Sequence, residues 1–82
     1  MPRSQYVVVS ECEVIRTTEL AICVSFVNDD IETKDAWIPR SAIHELSEIE
    51  PSAEEGDEGD MIVKRWVAEQ KDLPHEEDGW DG

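Results

Sequence analysis

The chain has 82 residues, of which 39% are hydrophobic, so it builds one small domain around a modest core. Seven Lys and Arg stand against 21 Asp and Glu, a formal net charge of -14 at pH 7. That balance argues against a basic groove for DNA or RNA, because neutralising phosphates requires a positive surface. No apolar run approaches the roughly 20 residues of a spanning helix, and no signal-peptide cleavage region follows the first residues. The expectation is a soluble, cytoplasmic protein with no membrane partner.

Tyr6 to Arg16 is rich in β-branched residues and predicts a strand. Thr17-Thr18-Glu19 interrupts it, and Leu20 to Val27 predicts a second strand with Leu20, Ile22, Val24 and Phe26 on one face. Asn28-Asp29-Asp30 is a turn signal. Ala36-Trp37-Ile38 is a short third strand that Pro39 stops by removing a backbone donor. Ser41-Ala42-Ile43 suits a single helical turn, capped by the Ser41 hydroxyl, after which Ile43, Leu46 and Ile49 need burial.

Residues 51–60 form a mobile polar loop of high negative charge with two glycines. Met61-Ile62-Val63 resumes as a strand. Val63, Trp66, Val67 and Gln70 follow helical spacing, so a helix from Lys64 to Lys71 should press Trp66 and Val67 onto the sheet. Pro74 ends it, and residues 74–82 form a mobile acidic tail that buries too little to offset its ordering entropy. The fold class is α+β and β-rich: a small twisted antiparallel sheet, or an SH3-like or OB-like barrel, with one C-terminal helix. Residues 1–73 are the compact domain.

Catalytic and metal chemistry find little support. Cys12 and Cys23 lack C-x-x-C spacing, and the two histidines lie far apart. A hairpin pairing Val14 with Ile22 and Cys12 with Val24 joins the two apolar faces and leaves two free thiols, whereas a one-residue slip opposes the cysteines. His44 is the only base in the ordered part that a nucleophilic thiol would find. The 54–60 acids lack the ligand spacing of an EF-hand, and a mobile loop holds no fixed separation for a glycosidase pair. No enzyme, cofactor or metal is expected. Trp37 and Trp66 as stacking platforms for a single strand collide with the net charge. Trp37 packs on the barrel in the structural reading; in the functional one, Trp37, Arg40 and Trp80 are aromatic and guanidinium contacts for a partner.

The segments Glu19 to Val24, Trp37 to Ile43 and Ile62 to Leu73 carry a resemblance. The chain resembles a group of small proteins of bacteriophages and mobile elements in which E-K-A-x-L-V precedes W-I-P-K-S-x-I and V-x-x-W-x-A-E-K-K-x-L. The likeness spans residues 7–73, with Trp37-Ile38-Pro39-Arg40-Ser41 its most specific piece. Leu20 stands where the pattern has Lys, and the 51–60 loop is more acidic than in the pattern. The resemblance implies a phage setting in a bacterial host cell and an inhibitor of the anti-CRISPR type.

Charge and resemblance together predict a non-enzymatic nucleic-acid mimic. Such a protein occupies the cationic groove of a host nucleic-acid-binding defence complex, anti-CRISPR or anti-restriction in kind. Glu54, Glu55, Asp57, Glu58 and Asp60 are the expected contacts, extended past the helix by Asp72, Glu76, Glu77 and Asp78. The partner is a protein with a basic nucleic-acid-binding surface, and the chain itself is a monomer or weak homodimer. The alternative is an adaptor in phage replication or assembly that docks through its acidic tail.

Overall fold

The valine run and the β-branched residues after it form one long strand, β1 (Tyr6–Thr17). The computed structural model describes residues 5–75 and 79–80. Beyond β1 they comprise β2 (Ala21–Val27), β3 (Thr33–Pro39), a 3-10 turn (Arg40–Ala42), β4 (Glu58–Lys64) and α1 (Arg65–Gln70). The strands make an antiparallel sheet in the order β3-β2-β1-β4. The fold is therefore α+β and β-rich. β3 and β4 are the sheet's edges, and the segment from Ile43 to Ile49 runs along the outer edge of β4. There Ile43 bridges Val63, His44 N–H donates to Ile62 O at 2.8 Å, and Ile49 N–H donates to Asp60 O at 3.2 Å. The buried Ser47 hydroxyl completes this edge, donating to Asp60 O and accepting from Ile62 N–H.

β1 serves both halves of the sheet. Its first part pairs with β4 and its end with β2, and a bulge sits in each pairing. Val9 lies opposite Met61 but Cys12 lies opposite Gly59, so β1 carries one extra residue between them. A strand alternates faces with period two, and the extra residue resets that alternation. Val7 and Val9 before the bulge, and Cys12 and Val14 after it, all reach the same core. Glu11 takes a left-handed φ of 55°, and its N–H is held by Asp60 Oδ1 at 3.1 Å. Ile22, Val24 and Phe26 of β2, Ile38 of β3, and Met61 and Val63 of β4 complete the inner face. Each such aliphatic side chain contributes about 1.5–3 kcal/mol by leaving water.

Several expectations change at this point. The β1–β2 hairpin pairs Val14 with Val24 and Thr17 with Ile22, not Val14 with Ile22. The turn lies later than expected, at Thr18–Ala21, closed by Thr18 N–H to Ala21 O at 2.8 Å and Ala21 N–H to Thr18 Oγ1 at 3.1 Å. Leu20 therefore sits exposed in that turn and not in β2. Leu46 is exposed as well, because the chain turns there with Leu46 N–H bonded to His44 Nδ1 at 3.0 Å, while Ile43 and Ile49 go inward. Ser41 makes no cap: the turn follows Pro39 directly, with no side-chain bond to its first residues.

The helix corrects a further expectation. α1 follows β4 with no loop, Lys64 holding extended angles as its N-cap. Val63 ends β4 on its core side, and within α1 it is Val67 and Ala68 that face the core. Trp66 falls about 100° away from Val67 and is 54% exposed. Trp37 is exposed for a related reason. Its neighbour Ile38 pairs with Ile22 in the core, so Trp37 stands on the outer face beside Cys23.

Gly59 holds φ +144°, and a Cβ there would lie 2.9 Å from Glu48 Cβ. Gly59→Ala should destabilise the fold by about 1–3 kcal/mol in urea unfolding. Gly56→Ala, at φ +97° with open space around it, should lose less, about 1 kcal/mol.

Candidate functional site

The acidic 51–60 loop is pinned, not mobile. Val14 N–H donates to Asp57 O and Gly56 N–H to Val14 O, both at 2.8 Å, so the loop prolongs the β1–β4 ladder. Asp57 Oδ2 accepts Glu54 N–H at 2.9 Å, and Asp57 N–H donates to Glu54 O at 3.1 Å, closing the tip on itself. Asp60 is also engaged. Besides holding Glu11 N–H, its own N–H donates to Glu48 Oε1 at 2.9 Å. Of the expected loop contacts, Glu54, Glu55 and Glu58 are exposed, whereas Asp57 and Asp60 each hold a backbone N–H with one carboxylate oxygen.

Strand alternation adds acids that the sequence reading passed over. Glu13 lies directly opposite Glu58 on β4 and opposite Ser25 on β2, and Ser25 lies opposite Asp35 on β3. Residues opposite each other share a face, so Glu58, Glu13 and Asp35 form a row across the outer side of the sheet. Like charges directly opposite repel, and the fold keeps the Glu13–Glu58 pair nonetheless. Past this row an open hollow of about 520 Å³ is bordered by Glu11, Glu13, Glu58 and Asp60 over Phe26 and Val27. Asp72, with a left-handed φ of 56°, lies elsewhere, on a second hollow with Asp29 and Asp30. Glu76, Glu77 and Asp78 lie outside the described residues.

Between described residues there is one ion pair, Lys34 Nζ to Glu32 Oε2 at 3.8 Å. Arg40 faces inward to backbone carbonyls: Nε and Nη2 donate to Thr18 O at 3.1 and 2.9 Å, and Nη1 donates to Pro51 O and Ala53 O at 3.0 Å each. It clamps the β1–β2 turn to the start of the acidic loop. Trp80, placed by the sequence in the tail, sits at the start of β1. Its N–H donates to Tyr6 O at 2.7 Å, and its ring stands 4.5 Å from His44 and 6.2 Å from Tyr6. Alternation counted from Cys12 and Val14 is the signal that would have found Glu13, whereas Glu11 sits in the bulge, which no local pattern announces. Nothing local signals the Tyr6–His44–Trp80 cluster, which joins three distant segments.

Both cysteines are free and nearly covered. Cys12 belongs to the inner core, whereas Cys23 lies on the outer face between Arg16 and Trp37. Burial, reinforced by the charge of Asp60, pushes the Cys12 thiol up to about 12. Burial also raises Cys23, with Asp35 adding to it and Arg16 opposing it. Neither is an activated nucleophile. Among the described residues no cluster of three His, Cys, Asp or Glu is arranged to hold a metal ion, and no helix is long and apolar enough to cross a membrane. No protein family, curated protein or solved structure matches the chain significantly.

Arg40→Lys cannot reproduce the fork and should lose about 1–2 kcal/mol in denaturant unfolding. The Cys12 thiol makes stability fall as pH rises from about 9 toward about 12, because the unfolded chain releases this proton first. Comparing unfolding free energies of wild type and Cys12→Ala across that range should remove a slope of at most about 1.4 kcal/mol per pH unit.

Proposed function

We propose that the protein is a non-enzymatic acidic inhibitor that occupies the cationic nucleic-acid-binding surface of a partner protein. The observation that carries this reading is the row of acids Glu58, Glu13 and Asp35 across the outer side of the sheet, with Glu11 and Asp60 bordering the adjoining hollow. These carboxylates lie on rigid strands and pinned turns, so they hold fixed mutual positions as backbone phosphates do. Arg40, the cation best placed to neutralise the loop, is bonded to carbonyls instead. The net charge of -14 repels itself in the folded state, and a cationic surface relieves that repulsion while steering association over long range. Arg and Lys of the partner would form charge-assisted bonds to Glu13, Glu54, Glu55 and Glu58. The resemblance to phage proteins suggests a CRISPR or restriction effector in a bacterial host as the partner.

The test is capture of bacterial effector proteins on the immobilised chain, with elution along a salt gradient and competition by duplex DNA. Binding should weaken steeply with salt, yield to DNA, and fall at least tenfold in the triple variant Glu13→Gln, Glu54→Gln, Glu58→Gln. Retention indifferent to salt and to the triple variant would overturn the reading.

A further inference from the structure

Among the described residues the sheet has one covered edge and one open edge. The segment Ile43–Ile49 bonds along β4, whereas β3 has β2 alone beside it. Which β3 groups stay free follows from the pairing. At the two ends of the β2–β3 ladder, Asn28 N–H donates to Glu32 O at 3.0 Å and Arg40 N–H to Leu20 O at 2.9 Å. Bonded pairs recur at every second position of an antiparallel ladder, so Phe26–Lys34, Val24–Ala36 and Ile22–Ile38 are the bonded ones. Thr33, Asp35 and Trp37 therefore turn their N–H and C=O outward, and these groups have no partner among the described residues. The side chains of the same three residues alternate onto the outer face. There Trp37 is 41% exposed, and Asp35 has no ion pair among the described residues. The bridge made by Trp80 falls on β1, two strands away.

We infer that the β3 edge is a strand-addition site for an extended basic segment of a partner protein, with an arginine opposite Asp35. Open backbone groups offer hydrogen bonds to any extended chain, and the side chains select which one. Asp35 ends the outer row that runs from Glu58 through Glu13 and Ser25, so a strand added to β3 takes the next place in that row. Opposite charges directly across a ladder stabilise it and like charges repel. Trp37 lies two residues on along the same face. A guanidinium bonded to Asp35 can therefore lie against the indole, a contact that arginine makes better than lysine. Charges on an edge usually discourage pairing, but Lys34 does not oppose a basic strand. It lies on the other face, opposite Phe26, and pairs with Glu32 at 3.8 Å. Pro39, lacking an N–H, closes the site at one end. A second copy of the chain is the wrong occupant, because two molecules at -14 repel each other. The site does not depend on nucleic-acid mimicry and shares with that reading only the positive partner.

The probe is acetyl-Lys-Thr-Val-Arg-Val-Thr-Lys-amide, titrated into the full chain and followed by amide NMR and hydrogen exchange. Antiparallel addition with its arginine at Asp35 sets its two threonines opposite Thr33 and Trp37. It should slow exchange at Thr33, Asp35 and Trp37 and shift the Trp37 indole resonance. Replacing its arginine by glutamate, or N-methylating the arginine amide that would donate to Asp35 O, should each weaken binding about tenfold. The exposed substitution Asp35→Lys should invert the preference, so that the glutamate peptide binds the better. Equal binding of the N-methylated peptide, or shifts confined to Glu54–Glu58, would overturn strand addition while leaving the acidic-surface reading intact. Protection of the three amides that grows with protein concentration, without peptide, would give the edge to a second copy and overturn the basic partner. No slowing at those amides refutes the site.

Discussion

The fold depends on one extra residue in β1. Without it, a strand that buries Val7 and Val9 would turn Cys12 and Val14 outward, since a one-residue slip sends every following side chain to the other face. With it, both halves of β1 feed one core, and the strand bends enough to pair with β4 first and β2 afterwards. Glu11 accepts a left-handed backbone that usually falls to glycine, and the Asp60 carboxylate on its N–H compensates. Gly59 opposite leaves room for Glu48, whose carboxylate in turn holds Asp60. The bulge, the glycine and two carboxylates form one interlocked unit.

That unit explains why part of the acidity is structural. Asp57, Asp60 and Glu48 each satisfy a backbone donor at a place where the ladder is broken or ends. Carboxylates suit such positions because an ionised acceptor makes the stronger hydrogen bond to N–H. Glu13, Glu58 and Asp35 instead project from the outer faces of strands whose inner faces feed the core. Alternation assigns Glu13, Glu58 and Asp35 outward as strictly as it assigns Val14, Val24 and Ile38 inward. The anionic surface is thus a geometric consequence of the same pattern that builds the interior.

The strands were legible in the sequence because β-branched runs and Pro39 mark them without help from tertiary context. The single C-terminal helix was legible too, through Val63 and Val67 at one-turn spacing. The register was not, because both the bulges and the Thr18–Ala21 turn are set by bonds to distant or neighbouring groups that no local pattern announces. Trp37 and Trp66 were misplaced for one reason: a large aromatic residue suggests burial, yet the phase fixed by Ile38 and Val63 overrides size. The 51–60 loop was read as mobile, whereas Gly56 and Asp57 bond to Val14 and make that loop part of the sheet.

The junction between β4 and α1 leaves no slack. Lys64 ends the strand and Arg65 begins the helix, so the strand dictates the angle at which the helix starts. One residue inserted there would rotate α1 by about 100°, carrying Val67 and Ala68 off the core and bringing a polar side to it. This hinge-free joint works as a fixed coupling that passes any strain in β4 directly to the helix.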